Sequence, residues 1–185
     1  MIAASSFTPE EARFHLMLIQ LGICDRFSPW LDALLEKETP LSDPVLELSW
    51  CSSDMKQVIH VLEDYLRNQE TDMHAVIRLL CADLRLRMDA GELDTNGCMK
   101  LLKQVCLLDC GIGQEPWSSI DNLLDWYDIS QYKDFRINGP GFEEYLLHFF
   151  DEGTPVPSPF QADIEYSTAW KKIAHFLNKL FNRKV

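Results

Sequence analysis

Helix starts and stops recur along nearly the whole chain, and between them apolar side chains return every three or four positions. That period lays apolar groups along one face of an α-helix, whereas a half-buried strand needs alternation at every second position. Thr8, Pro9, Glu10 and Glu11 form a capping box with proline at the first helical position. The helix they open runs through Phe14, Leu18 and Leu21 and stops at Gly22. Ser28 and Pro29 open a second, carrying Trp30, Leu31, Leu34 and Leu35. Ser42, Asp43 and Pro44 begin a third, short one that reaches Trp50 through Val45, Leu46 and Leu48. A fourth starts near Ser53 and Asp54 and sets Met55, Ile59, Leu62 and Leu66 on one face. Thr71 and Asp72 cap a fifth, which holds Val76, Leu79, Leu80 and Leu86 and ends at Gly91. Asp94 or Thr95 starts a sixth through Met99, Leu102, Val105 and Cys106, closing near Gly111.

The second half is less regular. Ser118 and Ser119 begin a short helix with Ile120, Leu123, Leu124 and Tyr127, and Phe142, Tyr145, Leu146 and Phe149 mark another. Gly153, Pro155, Pro157 and Pro159 make residues 151–161 read as an extended linker. Beyond it, Trp170, Ile173, Ala174, Leu177, Leu180 and Phe181 draw one helical stripe. Only residues 134–137 alternate, and weakly. The expectation is an all-α, single-domain helical bundle, or stacked helix pairs, of about eight to nine helices. Residues 1–160 form its acidic body, and residues 161–185 an amphipathic C-terminal helix packed on the same domain.

The chain is 46% apolar and 25% charged, enough to bury a core, which excludes wholesale disorder. Seventeen Lys and Arg against 29 Asp and Glu leave a net charge of -12, a poor match for nucleic acid and a good one for a basic protein. The first residues lack a basic n-region, and Glu10, Glu11, Arg13 and His15 interrupt the apolar stretch after them, so neither a signal peptide nor a membrane span is expected. The six cysteines (24, 51, 81, 98, 106 and 110) fall mostly in apolar helical stretches and read as reduced, largely buried thiols of a cytoplasmic protein.

Motifs for catalysis and metal binding are weak. Glu92, Asp94, Asn96 and Gly97 superficially match a calcium-loop template, but Lys103 stands where that template needs a bidentate glutamate. A helix–helix turn explains the same residues. Cys106 and Cys110 lack further zinc ligands at suitable spacing. Glu144 and His148 form an ordinary i,i+4 pair, and no nucleophile elbow or phosphate loop is present. The expectation is therefore no catalytic residue, no metal, no cofactor, and no enzymatic activity.

Residues 115–152 stand out because acids alternate with aromatics. Residues 105–152 hold ten acids against Lys133 and Arg136 alone. Trp117, Asp121, Asp125, Trp126, Asp128, Asp134, Glu143 and Glu144 are the candidate partner-binding residues. Aromatic rings supply the anchoring area of many interfaces, and surrounding carboxylates steer a basic partner toward them.

The chain resembles a bacterial toxin-neutralising immunity protein of the contact-dependent growth inhibition type. The resemblance spans residues 44–152 and is carried by residues 44–66 (PVLELSWCSSDMKQVIHVLEDYL): a short apolar helix, a Ser/Asp break, then an amphipathic helix. It implies an antitoxin that binds a basic toxin domain, such as a nuclease, and blocks it with carboxylates standing in for nucleic-acid phosphates. Neither nucleic acid nor a membrane is an expected partner. Two other readings stay open: a helical adaptor or regulatory subunit with a non-toxin partner, and a small helical enzyme without a recognisable motif.

Overall fold

The computed structural model describes residues 7–108, 114–131 and 141–152, and these form eight helices with no strand among them. In chain order they are α1 (Pro9–Gln20), α2 (Phe27–Lys37), α3 (Asp43–Cys51), α4 (Met55–Leu66), α5 (Met73–Asp89), α6 (Thr95–Leu108), α7 (Trp117–Ser130) and α8 (Phe142–Glu152). The fold is all-α. The linker over 151–161 beyond Glu152, the alternating residues 134–137, Gly111 and the C-terminal stripe over 161–185 lie outside the described residues.

Local chemistry sets most boundaries. The Thr8 hydroxyl accepts from the Glu11 amide at 3.2 Å. Asp54 accepts from the Lys56 and Gln57 amides at 3.0 and 3.4 Å, and Asp72 from that of His74 at 2.9 Å. Each cap satisfies amides that have no partner inside their helix. Gly22 (φ 79°) and Gly91 (φ 72°) reverse the chain after α1 and α5 in the left-handed region, where a side chain would be strained. Two starts differ from the sequence expectation. α2 begins at Phe27, before Ser28, with no side-chain cap; the buried Phe27 ring anchors that turn. α7 begins at Trp117, and Ser118 and Ser119 act from inside it, donating their hydroxyls to the Glu115 carboxylate.

The packing order departs from chain order. α3 lies on α4, α4 on α1, α1 on α5, α5 on α8, α8 on α7 and α7 on α6, while α2 covers α3. α1 is central because it is apolar nearly all round: Ala12, Phe14, His15, Leu16, Met17, Leu18 and Ile19 are all buried, between α4 on one side and α5 on the other. α4 is one-sided by contrast. Val58 and Leu62 are buried, whereas Lys56, Gln57, His60 and Glu63 face outward.

Polar groups inside this body are matched to partners. Asp83 and Arg87, both buried on α5, pair at 2.7 Å; Arg26 reaches the other Asp83 oxygen at 2.7 Å. Arg87 also clasps Asp25 with two contacts of 2.9 Å and approaches Glu92 at 3.4 Å. This network ties the α1–α2 turn and the α5–α6 turn to one helix. Removing a single member would strand a buried charge, which is why such networks are costly to break. Buried Glu38 accepts from the Phe7 and Ser42 amides and the Ser42 hydroxyl, which closes the α2–α3 turn.

Candidate acidic interface

α7 divides cleanly between core and solvent. Trp117, Ser119, Ile120 and Leu123 are buried, and Asp121, Asp125 and Asp128 are exposed. The three carboxylates stand at i, i+4 and i+7, so the helix period aligns them in one stripe along its outer face. The helix contains no Lys, Arg or His. Among the described residues no cation lies within ion-pair distance of any of the three, although Lys103 faces solvent on neighbouring α6. Some acids elsewhere have ion-pair partners, Asp64 with Arg67, Asp89 with Arg85 and Asp72 with Arg78 at 3.8 Å, whereas exposed Asp32 and Glu36 on α2, at i and i+4, have none among the described residues.

α8 holds α7 through aromatic contacts. The Trp126 and Tyr145 rings meet edge to face at 5.8 Å, and Tyr127 and Phe142 at 5.1 Å. Leu146, Phe149 and Phe150 turn inward. Glu143 and Glu144 are exposed in the first turn of α8, where the helix dipole favours negative charge. Asp151, at the other end, is met by Arg85 of α5 at 3.6 Å. α6 runs antiparallel to α7: the Tyr127 hydroxyl donates to Asn96 at 3.0 Å near one end, and Cys106 lies within reach of the Asp121 charge near the other. Burial, reinforced by the Asp121 charge, pushes the Cys106 thiol up to about 12.

The candidate residues thus sort into three groups. Asp121, Asp125, Asp128, Glu143 and Glu144 are exposed on two packed helices, with half-buried Trp126 at the seam between them. Trp117 is a correction: at 6% exposure its ring belongs to the core and anchors the start of α7, so it is not offered to a partner. Asp134 lies outside the described residues.

The motif residues resolve as local structure. Asp94 accepts from the Gly97 amide at 2.7 Å and Glu92 turns toward Arg87, so the loop between α5 and α6 is a capped helix–helix turn. Among the described residues no three His, Cys, Asp or Glu side chains are arranged to hold a metal. The cysteines at 24, 51, 81, 98 and 106 are free; Cys51, Cys81 and Cys98 are buried and Cys24 is exposed, while Cys110 lies outside the described residues. Burial pushes Cys81 up to about 12 and Cys98 to about 11, which keeps both protonated and poorly nucleophilic. Among the described residues no helix is long and apolar enough to cross a membrane.

Several exposed apolar residues escaped the sequence reading. Trp50, at the end of α3, is 80% exposed, and Leu107 and Leu108, at the end of α6, are 72% and 45% exposed. Helical phase was the available signal for Leu107, which falls opposite the buried Cys98, Met99, Leu102 and Val105. Comparison with family models, curated proteins and solved structures finds nothing that matches this chain.

Proposed function

We propose that the protein is a non-enzymatic immunity protein, an antitoxin that binds and blocks a basic toxin domain such as a nuclease. Its contact surface would be the outer face of α7 with the first turn of α8. One observation carries this reading: Asp121, Asp125 and Asp128 form an exposed stripe without an ion-pair partner among the described residues. Aligned carboxylates repel one another, and a cationic partner would relieve that repulsion while gaining attraction of its own. Spaced along a helix, they also offer a row of negative charges where a nuclease would otherwise hold phosphates. Trp126 supplies aromatic area beside them, and Glu143 and Glu144 extend the negative field that would steer encounter.

The test is affinity capture from the protein's source cells with native protein and the Asp121→Lys, Asp125→Lys, Asp128→Lys variant side by side. A basic protein retained in stoichiometric amount by the native chain, and lost by the variant, supports the proposal. Equal retention by both chains overturns the proposed surface.

A second reading, a helical adaptor for a neutral partner, is favoured by Trp50 alone. So large an exposed ring is an apolar anchor whose binding would survive high salt.

A further inference from the structure

The end of α6 presents two leucines to solvent immediately beside the acidic stripe. Leu107 is 72% and Leu108 45% exposed, on a helix whose apolar groups at 98, 99, 102 and 105 are buried and whose Leu101 and Cys106 are half-buried. α6 packs on α7, and Cys106, one residue before Leu107, lies within reach of Asp121, the first carboxylate of the stripe. The last turn of α6 carries no basic residue, so the partial negative charge of its terminal carbonyls adds to the field there. Lys100 and Lys103 face solvent earlier on α6, Lys103 one turn before Leu107 on the same face.

We infer that Leu107 and Leu108 form the apolar anchor of the acidic interface, and that its occupant is a cationic segment of the partner. This segment carries an apolar side chain next to a row of Lys or Arg. The inference rests on the acidic-surface reading above and adds a requirement to it. Charge alone would accept any basic segment, whereas exposed leucines at one end of the stripe demand an apolar group in a fixed register with the bases. The bases would run along Asp121, Asp125 and Asp128, and the apolar group would seat at the α6 end, beyond Asp121. A segment with bases and no apolar group would leave the leucines in water and lose the gain from burying them. The division of labour is then kinetic: the carboxylates govern how fast the segment arrives, and the leucines how slowly it leaves.

The test uses the full chain and two synthetic helical peptides at low ionic strength, read by fluorescence anisotropy. One peptide carries lysines at i, i+4 and i+7 with a leucine one turn beyond; the other has alanine in place of that leucine. The native protein is expected to prefer the leucine peptide by roughly tenfold or more, the gain from burying one leucine side chain. The Leu107→Ala, Leu108→Ala variant is expected to bind both peptides alike. Both residues are exposed, so its helical circular dichroism should match the native protein. Equal affinity of the native chain for the two peptides, or no binding of either, overturns the inference, as does a preference that survives in the variant. The Asp121→Asn, Asp125→Asn, Asp128→Asn variant separates the two ideas. If it binds both peptides as well as the native chain does, the acidic-surface reading itself fails. If it loses both while the native chain treats them alike, only the leucine anchor fails.

Discussion

His15 sits in the middle of α1, buried, with its ring stacked on Trp30 at 4.1 Å and edge-on to Phe14 at 5.0 Å. Burial lowers its pKa from 6.5 to about 4, and the Asp83 charge opposes that shift only in part. The folded state therefore holds the neutral ring, while the unfolded chain takes up a proton below 6.5. Stability from this residue is complete above pH 6.5 and is lost as pH falls toward 4, by about 3 kcal/mol in all. Urea unfolding between these limits should show that slope, and His15→Phe should flatten it; an unchanged slope would contradict the assignment. Asp83 makes the complementary case. Asp83→Ala leaves Arg87 buried with only Asp25 and Glu92 to answer it, and should cost about 3 kcal/mol in urea unfolding. The i,i+4 spacing of Asp83 and Arg87 was a signal in the sequence, but their longer-range partners and the setting of His15 were not legible. Asp83 finds Arg26 across 57 residues, and Arg87 finds Asp25 across 62, so no spacing rule links them. His15 occupies an ordinary position in an apolar run, and only the packing of α2 over it shows that its neighbour is Trp30.

At the scale of elements, the sequence was most readable where a boundary depends on one residue. Thr8, Asp54 and Asp72 cap as their positions imply, and Gly22 and Gly91 stop their helices by adopting positive φ. Gly22→Ala tests that argument cleanly, because a Cβ there meets no atom within 4 Å. Its cost, about 1 kcal/mol, should come from backbone strain alone and appear as a lowered urea midpoint. The starts of α2 and α7 were missed by one residue because serine is a good cap and a tolerable first-turn residue alike. Which way each apolar ring points was harder to read. Trp50 and Trp117 both lie in apolar helical stretches, yet one is exposed and the other buried, since α7 has α6 and α8 against it while, among the described residues, no helix covers the outer side of α3. The acids of the stripe, in contrast, were marked by their alternation with aromatics, and the spacing of Asp121, Asp125 and Asp128 was the available signal that they share one helical face.

For the whole molecule, a net charge of -12 attracts a basic partner overall, but the field is shaped by where acids are left unpaired. Asp64 of α4 and Asp83 and Asp89 of α5 have arginines, while the stripe on α7 has none among the described residues. Lys103→Glu, a change of two charge units on the helix beside the stripe, should therefore speed association with a basic partner several-fold at low salt. A slower or unchanged rate would place the contact surface elsewhere. Most direct is the association rate constant for the captured basic partner, measured by stopped flow across ionic strength with native protein and the Asp121→Lys, Asp125→Lys, Asp128→Lys variant. A native rate that falls steeply as the screening length shortens to about 8 Å near physiological salt, and a variant roughly tenfold or more slower with a flattened salt dependence, are the predicted results. Coincident rates for the two proteins at every ionic strength would contradict an antitoxin surface on α7.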